Sequence, residues 1–326
     1  MRNKILGELY KNKENYISGE MLAKNLGISR TAVWKHINIL KKEGYIIETT
    51  PGKGYRLLET EDKLLPGEIE ILLGDNTIGK QVVYFESINS TNSYAKKEIG
   101  QLEDGTIVLA EKQTLGRGRR GKGWVSPKGT GIWVSLILKP DIPPREGIKM
   151  TQIAAAAVCE SIRKLTGLNA LIKWPNDIII NGKKVCGILT EMAGELNEIS
   201  YIIIGIGINV NMDNFPDEIK EKATSLFIES GNKIDRRYLL IDILRNFETL
   251  YNDYIENLNL GRVLSIVKNY SAVLGKNIRV IQGKTEKKGK AIDINDEGLL
   301  LVELEDGSSE SVMSGEVSIR GEEGYI

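Results

Sequence analysis

The chain has 326 residues, of which 41% are hydrophobic and 27% are charged, with only 8 Pro and 2 Cys. This composition excludes a disordered, collagen-like or disulfide-scaffold protein, and the length predicts two or three globular domains. The formal net charge is zero, but residues 1–58 carry eleven Lys or Arg and five Asp or Glu, so a segment of +6 precedes a remainder of −6. This asymmetry predicts that only the first part of the chain meets a polyanion.

Apolar spacing predicts three helices at the start of the chain, which cover residues 1–15, 18–27 and 30–42. Ser18 and Ser29 stand where N-caps of the second and third helices are needed. Ala23, Gly27 and Val33 have the spacing of a helix-turn-helix, in which a small residue, a turn glycine and an apolar residue let two helices cross closely. The sequence therefore predicts a helix-turn-helix near the N-terminus.

The third helix and the strands after it form the predicted DNA-binding surface. Val33, Ile37 and Leu40 make its buried stripe, and the hairpin YIIETTPGKGYRLL would be the wing of a winged helix. A small helical protein-interaction module with a basic face is the alternative. His36, the single histidine, is expected to be a packing or surface residue. The residues expected to contact DNA are Ser29, Arg30, Thr31, Trp34, Lys35 and Lys53.

The acidic, proline-containing stretch at residues 61–66 is the predicted linker between a first domain, 1–60, and a central domain, 67–271. Helical patterns over 148–166 and 236–256 separate apolar runs in the central domain, so we expect a mixed α/β domain there. The predicted strands are VVYF, TIVLAE, GIWVSLIL, ALIKW, DIIIN, KVCGILTEM and YIIIGIGINV.

The most apolar run of the chain extends from Tyr201 to Val210. Glycines interrupt it, and it is far too short to span a bilayer. The N-terminal stretch MRNKILGELYKNKENY is charged throughout, which argues against a secretory leader. We therefore expect a cytoplasmic protein with no membrane partner.

The stretch from Gly116 to Trp124 carries four glycines and four cations in nine residues. Glycines let the backbone approach a ligand closely, Arg and Lys can neutralise phosphates or a carboxylate, and Trp124 offers a flat apolar surface. A flexible surface loop or a nucleic-acid tail could have the same composition. Because the stretch lies between two predicted strands, we expect a loop that orders around an anionic ligand.

Two further segments could complete a site. In Lys173 to Asp177 a cation, an amide and a carboxylate cluster around a proline, although a polar strand end would look similar. Gly205, Gly207 and Asn209 alternate along one predicted strand, so they share a face on which two positions have no side chain. That face has room for a ligand, and a bulge or tight helix packing is the alternative.

The C-terminal part, residues 272–326, changes to short strands with turn residues between them, which predicts a small barrel. Arg320 follows the last strand, and from the residues alone it is a simply exposed cation of a stabilising cap. The predicted strands are NIRVI, GKAIDI, LLLVEL, SESVM and EVSI.

The chain resembles the biotin protein ligases over nearly its whole length. The resemblance rests on five segments that occur in the same order in that family: Ser90–Asn92, Gly116–Trp124, Lys173–Asp177, Lys184–Gly187 and Gly205–Asn209. The segment from Lys184 to Gly187 belongs to the same pattern, and the winged helix resembles that of the bifunctional members, which also repress biotin operons. The resemblance implies an α+β multidomain fold with a winged helix-turn-helix, a central domain of the class II synthetase-like type and an SH3-like barrel. Lys122 and Gly123 depart from the family pattern, in which an arginine precedes a bulkier residue.

The resemblance also implies a role for each site residue. Biotin would be bound by Ser90, Thr91, Asn92, Gln113, Arg117, Gly118, Arg119 and Lys184. The nucleotide would be bound by Arg119, Arg120, Trp124, Asn176, Lys184, Asn209 and Arg320. Lys184 and Arg119 would be catalytic, with Lys184 preferred to Lys183 because it directly precedes Val-Cys-Gly. Asn176, Asp177 and Asn209 would help to arrange nucleotide and Mg²⁺, with no ligand of the metal assigned.

The implied reaction joins biotin to a lysine of the biotin carboxyl carrier protein at the expense of ATP, through biotinyl-5′-AMP. The same adenylate would act as corepressor for a homodimer bound to operator DNA. Two alternatives stay open: a transcription regulator that only senses a ligand, and a lipoate ligase or related acyl transferase.

Overall fold

The computed structural model describes residues 1–13, 15–58, 62–195, 198–313, 317–321 and 325. It divides into two compact units, Met1–Gly74 and Asp75–Ile326. Within the described residues, no helix is both long and apolar enough to cross a membrane.

The N-terminal unit is a three-helix core followed by a two-stranded hairpin and a fourth helix. Its elements are α1 Arg2–Lys11, α2 Gly19–Leu26, α3 Arg30–Lys42, β1 Ile47–Thr50, β2 Gly54–Leu57 and α4 Pro66–Leu73. The Ser18 and Ser29 hydroxyls accept hydrogen bonds from the backbone N–H groups of Met21 and Ala32, as expected of N-caps. Gly27 ends α2 at φ +66°, which confirms the turn of the helix-turn-helix.

The first helix is shorter than the apolar spacing predicts. It ends at Lys11 rather than at residue 15, and Glu14 lies outside the described residues. The Asn12 side chain donates to the Glu8 carbonyl at 2.8 Å, which is the local bond by which Asn competes with helix continuation. The predicted buried stripe of α3 is confirmed, with Val33, Ile37 and Leu40 in one apolar cluster. On α2 the apolar spacing included Met21, which is 55% exposed, whereas Leu22 is buried.

Part of the stretch predicted as a linker is buried in the structure, and its last residue begins a helix. Leu64 and Leu65 are buried, and Pro66 begins α4 at a helix N-terminus, where its missing N–H is not needed. The chain divides into the two compact units between Gly74 and Asp75, which lies beyond the predicted boundary at 66/67. The predicted linker begins at residue 61, which with 59 and 60 lies outside the described residues.

The second unit contains a sheet in which seven strands are described, in the order β3-β4-β5-β9-β8-β7-β6. The strands are β3 Val82–Phe85, β4 Ile107–Ala110, β5 Gly131–Leu138, β6 Leu171–Lys173, β7 Asp177–Ile180, β8 Lys183–Gly194 and β9 Ile199–Asn209. All neighbours are antiparallel except β3 and β4. These strands coincide with the predicted apolar runs.

Helices pack on this sheet, and one of them, α7, contains a run of buried alanines. They are α5 Thr91–Lys97, α6 Pro144–Gly147, α7 Met150–Thr166, α8 Leu226–Ser230, α9 Arg236–Asn257 and α10 Gly261–Asn269. In α7 the alanine run 154–157 is fully buried, and α7 packs against α9. The small methyl groups allow the helix backbones to approach closely.

The C-terminal strands form a separate antiparallel sheet in the order β13-β12-β11-β10-β14, within the described residues. They are β10 Asn277–Gln282, β11 Thr285–Ile294, β12 Leu300–Leu304, β13 Ser309–Val312 and β14 Val317–Gly321. The Gly298 carbonyl accepts from Gln152 Nε2 at 2.7 Å and Trp174 Nε1 at 3.2 Å, which ties this sheet to the central one. The predicted α+β architecture with a small C-terminal β domain is confirmed.

Candidate functional site

A cavity of about 420 Å³ opens over one face of the central sheet, between the loop 113–125 and β14. This volume is in the range of small-ligand sites. Every residue that the sequence assigned to biotin or nucleotide lines it: Ser90, Thr91, Asn92, Gln113, Arg117, Gly118, Arg119, Arg120, Trp124, Asn176, Lys184, Asn209 and Arg320. The fold therefore gathers segments that are far apart in the chain into one site.

One end of the cavity is a connected set of neutral polar groups at the start of α5. The Thr91 backbone N–H and hydroxyl donate to Gln113 Oε1 at 2.9 and 3.2 Å, and Gln113 Nε2 donates to Ser126 Oγ at 3.0 Å. The buried Ser135 hydroxyl lies 2.7 Å from Thr91 Oγ1. Because these groups are already held by one another, they can present fixed donors and acceptors to a neutral polar ring.

Asn92 has a different role from its neighbours. It is 4% exposed, and its amide bonds to Glu191 Oε2 at 2.9 Å and to Ser135 Oγ at 2.6 Å. A Cβ at Gly205 would come within 2.2 Å of Asn92 Oδ1. The space cleared at Gly205 is thus filled by Asn92 itself, which positions the start of α5.

Gly207 clears space in the same way for Trp124. A Cβ at Gly207 would lie 2.5 Å from Trp124 Nε1, and the indole N–H is buried without a partner among the described residues. Asn209, next along this face, donates to the Thr224 carbonyl at 3.0 Å. The predicted shared face of β9 is confirmed, with protein side chains rather than open space above its glycines.

The glycine-rich loop folds back on itself. Gly118 N–H donates to the Lys122 carbonyl at 2.7 Å, Trp124 N–H donates to the Gly116 carbonyl at 2.8 Å, and Arg117 pairs with Gly123 in an antiparallel bridge. A short 3-10 turn occupies Arg119–Gly121. The departure from the family pattern at 122–123 is accommodated, because both positions take part through backbone groups.

The opposite end of the cavity is cationic. Among the described lining residues there are eight Lys or Arg and two carboxylates, Asp177 and Glu218. Arg119 donates to Asn176 Oδ1 at 2.6 Å and to the Val317 carbonyl at 3.1 Å, and burial lowers its pKa. Lys184 Nζ lies 2.6 Å from Asp177 Oδ1 and 5.2 Å from the Trp124 ring centroid.

Lys173 is the most perturbed cation of the site. Burial, followed by repulsion from Arg320, lowers the pKa of Lys173 to about 6. Burial acts against ionisation of Asp177, but Lys184 and its other partners hold the pKa of this carboxyl below its usual value. A cavity with this excess of positive charge is built for an anion.

Sequence reasoning did not assign Lys173, Lys222, Phe215 or Tyr325 to the site, yet all four line the cavity. Lys173 belongs to the KWPND segment, whose cluster of a cation, an amide and a carboxylate is one of the candidate site segments in the sequence. The others lie in segments without a local signal, and only the fold brings them to the cavity. Lys183 does not line it, which agrees with the preference for Lys184.

A second candidate surface lies on the N-terminal unit. All six residues expected to contact DNA are exposed, with Trp34 at 59%. The wing glycines Gly52 and Gly54 adopt φ +77° and +109°, which the tight hairpin requires. His36 is half-buried, and its Nδ1 has no hydrogen-bond partner among the described residues.

Comparisons with known proteins agree with both surfaces. Residues 84–209 match the model of the biotin/lipoate A/B protein ligase family, residues 1–56 an HTH domain, and residues 273–320 the biotin protein ligase C-terminal domain. The chain is 45% identical to the bifunctional ligase/repressor BirA of Bacillus spizizenii over 90% of each chain. It is 44% identical to that of Bacillus subtilis over 93% of this chain and 94% of the relative.

A solved structure is similar as well. The biotin protein ligase from Aquifex aeolicus in complex with biotin and ATP matches with a TM-score of 0.66 and 28% identity. The match covers 74% of this chain and 99% of the Aquifex chain.

Proposed function

Because the chain belongs to the family of bifunctional ligase/repressors, we propose that it is an ATP-dependent biotin protein ligase and a biotin-responsive repressor. We place it in the cytoplasm. The observation that carries the proposal is the single cavity in which the neutral polar end at Thr91 and Gln113 meets the cationic end at Arg119 and Lys184. Biotin has a polar ureido ring at one end and a carboxylate at the other, so this arrangement orients the carboxylate toward ATP.

The first step forms biotinyl-5′-AMP. A biotin carboxylate oxygen attacks the α-phosphorus of ATP, and the bond to the pyrophosphate oxygen breaks. Lys184 and Arg119 stabilise the charge that develops on the α-phosphate and on the leaving pyrophosphate. Asp177 holds Lys184 in place through its 2.6 Å ion pair. Trp124, whose indole N–H has no partner within the described part of the chain, covers the adenine side of the site.

The second step transfers biotin. The amine of a lysine on the biotin carboxyl carrier protein attacks the carbonyl carbon of the mixed anhydride, and AMP leaves as the carbon–oxygen bond breaks. The enzyme contributes position and exclusion of water, since the loop 113–125 lies over the cavity. A protein nucleophile is not required, because the anhydride is already an activated carboxylate.

Magnesium is expected to enter with the nucleotide. The described residues contain no group of three His, Cys, Asp or Glu that could bind a metal by themselves. Mg²⁺ commonly keeps several waters and binds through one or two carboxylates and substrate phosphates. Asp177 fits this role as the carboxylate beside the cations, and the ion would neutralise phosphate charge there.

The repressor activity belongs to the winged helix. Arg30, Thr31 and Lys35 lie at the exposed start of α3, where side chains reach base edges and phosphates in the major groove, and Lys53 lies on the wing. Biotinyl-5′-AMP would be the corepressor that favours a homodimer, which presents two such helices to a palindromic operator.

Incubation with a biotin carboxyl carrier domain, biotin, ATP and Mg²⁺ tests the enzymatic half. We expect one biotinylated lysine by peptide mass spectrometry, and no product when ATP is omitted. A parallel reaction with lipoate is the control for substrate class. Incorporation of lipoate in preference to biotin would favour the acyl transferase alternative, and no incorporation of either would favour a regulator that only senses its ligand.

A further inference from the structure

Tyr325, near the C-terminal end, lies inside the cationic end of the cavity. Its hydroxyl donates to Asp177 Oδ2, and its backbone carbonyl accepts from Lys173 Nζ at 2.8 Å. The Lys173 ammonium also lies 3.2 Å from the Tyr325 ring centroid, and the Arg320 guanidinium lies 4.8 Å from it. Four polar or charged contacts therefore tie one terminal residue to the site.

These contacts matter because Lys173 has few other partners. It is 3% exposed, and within the described residues the Tyr325 carbonyl is its one hydrogen-bond acceptor. The nearest carboxylate, Asp177, is already engaged by Lys184 at its other oxygen. Without Tyr325, the amino group of Lys173 would face the cavity without a hydrogen-bond acceptor among the described residues, which is costly for a buried polar group.

Tyr325 supplies Lys173 and Arg320 with weakly negative groups. A carbonyl oxygen and the face of an aromatic ring both attract cations, although neither carries a full charge. A phosphate oxygen is ionised, so it attracts Arg320 more strongly and also favours the protonated form of Lys173. The residue thus occupies the position of an anionic ligand with groups that such a ligand can outcompete.

We propose that Tyr325 is a tethered occupant of a polyphosphate subsite formed by Lys173 and Arg320, and that the triphosphate of the nucleotide displaces it. The identification of the natural ligand as ATP rests on the proposed ligase function. The subsite itself rests only on the contacts of Tyr325, Lys173 and Arg320.

The phenol is suited to reversible release. Burial and the neighbouring Asp177 raise the pKa of Tyr325 above its usual value, so the phenol stays neutral and donates its proton to the carboxylate. Once the tyrosine leaves, Asp177 keeps the ion pair with Lys184 and regains a free oxygen. Displacement therefore costs a small number of exchangeable contacts and no buried unpaired carboxylate.

Calorimetric titration of the full chain with inorganic tripolyphosphate tests the proposal without ATP, biotin or turnover. We expect Tyr325→Ala to bind tripolyphosphate about tenfold more tightly than the wild type, as when an occluded state is present nine times in ten. The matched control is Tyr238→Ala, an exposed tyrosine of α9 outside the cavity, which should leave the affinity unchanged.

A double variant locates the effect. Lys173→Met should weaken tripolyphosphate binding, and adding Tyr325→Ala to it should restore much less than tenfold. Equal or weaker binding by Tyr325→Ala, in a protein with an unchanged thermal transition, would overturn the proposal, because Tyr325 would then be part of the binding site. Failure of carrier biotinylation together with a tenfold gain in tripolyphosphate affinity would refute the ligase function and leave the subsite standing.

Discussion

Lys184 lies between the Asp177 carboxylate and the Trp124 indole. In the proposed reaction it stabilises the adenylation transition state, so replacing it by Ala would remove that cation and leave Asp177 without its ion-pair partner. We expect biotin-dependent exchange of pyrophosphate into ATP to fall by about 100-fold or more. Lys183→Ala, on the neighbouring residue outside the cavity, is the control. Near-wild-type exchange in Lys184→Ala would remove this residue from the chemical step.

The titration of Lys173 links anion binding in the cavity to proton uptake. Its pKa of about 6 is set by burial and by repulsion from Arg320 of β14, Lys184 of β8 and Lys122 of the loop, against attraction by Asp177 of β7. An unfolded chain has a lysine pKa near 10.4, so the unfolded state binds more protons between these values. The contribution of Lys173 to folding stability therefore falls as the pH is lowered from about 10 toward 6.

A bound polyphosphate opposes the lowering of the Lys173 pKa, because a neighbouring anion favours the protonated form of the amine. At pH 7.5 we expect tripolyphosphate binding to take up a proton. Calorimetry in Hepes and in Tris, which differ in ionisation enthalpy, measures the uptake. Lys173→Met should abolish it, and equal uptake in that variant would assign the proton to another group.

The Asn92 side chain packs directly against Gly205, so a methyl group added at position 205 would push the two residues apart. Gly205→Ala places a Cβ against the Asn92 amide, so we expect a loss of about 1–3 kcal/mol in stability and a raised KM for biotin. Chemical denaturation and steady-state kinetics measure the two effects. Gly100→Ala, at an exposed position with nothing within 4 Å, should change neither. An unaltered KM in Gly205→Ala would separate Asn92 from the biotin end.

The element that decides DNA recognition is α3, whose N-terminal side is exposed and whose opposite stripe is buried. Arg30→Ala should weaken operator binding by about tenfold or more, the cost of one base or phosphate contact. Lys42→Ala is the control: it removes one positive charge from the same helix, as Arg30→Ala does, but at the far end, away from the expected DNA contact. Gel-shift titration compares them, and equal affinities for the two variants would contradict the predicted orientation of α3.

Elements with strong local patterns were predictable from the sequence. The strands β3 to β9 follow apolar runs, and the caps Ser18 and Ser29 mark helix starts. The alternation of Gly205, Gly207 and Asn209 correctly predicted that these three residues share one face of β9. The side chains that fill the space above the two glycines are those of Asn92 and Trp124. Their positions depend on pairing between distant segments, which no local pattern encodes.

Elements whose identity depends on tertiary contacts were not predictable. The acidic composition around residues 61–66 resembled a linker, yet Pro66 begins α4 because the buried Leu65 and Leu73 anchor it to the N-terminal unit. Tyr325 lies beyond the last predicted strand, and nothing near it in sequence indicates that it contacts Lys173 and Asp177.

At the scale of the whole molecule, the net charge of zero conceals two chemistries. The segment of +6 carries the exposed face of α3, while the remainder of −6 contains a cavity whose charged lining residues are mainly cations. The net charge of the chain therefore describes neither the basic N-terminal segment nor the cationic cavity of the acidic remainder.

If the proposed function is correct, the chain makes and keeps biotinyl-5′-AMP. Native mass spectrometry of the full chain after incubation with biotin, ATP and Mg²⁺, followed by removal of free ligand, measures this directly. We expect one biotinyl-5′-AMP per chain, formed only when biotin and ATP are both present. A chain that emerges without the adenylate, or with unreacted ATP alone, would contradict both the ligase and the biotin-sensing repressor.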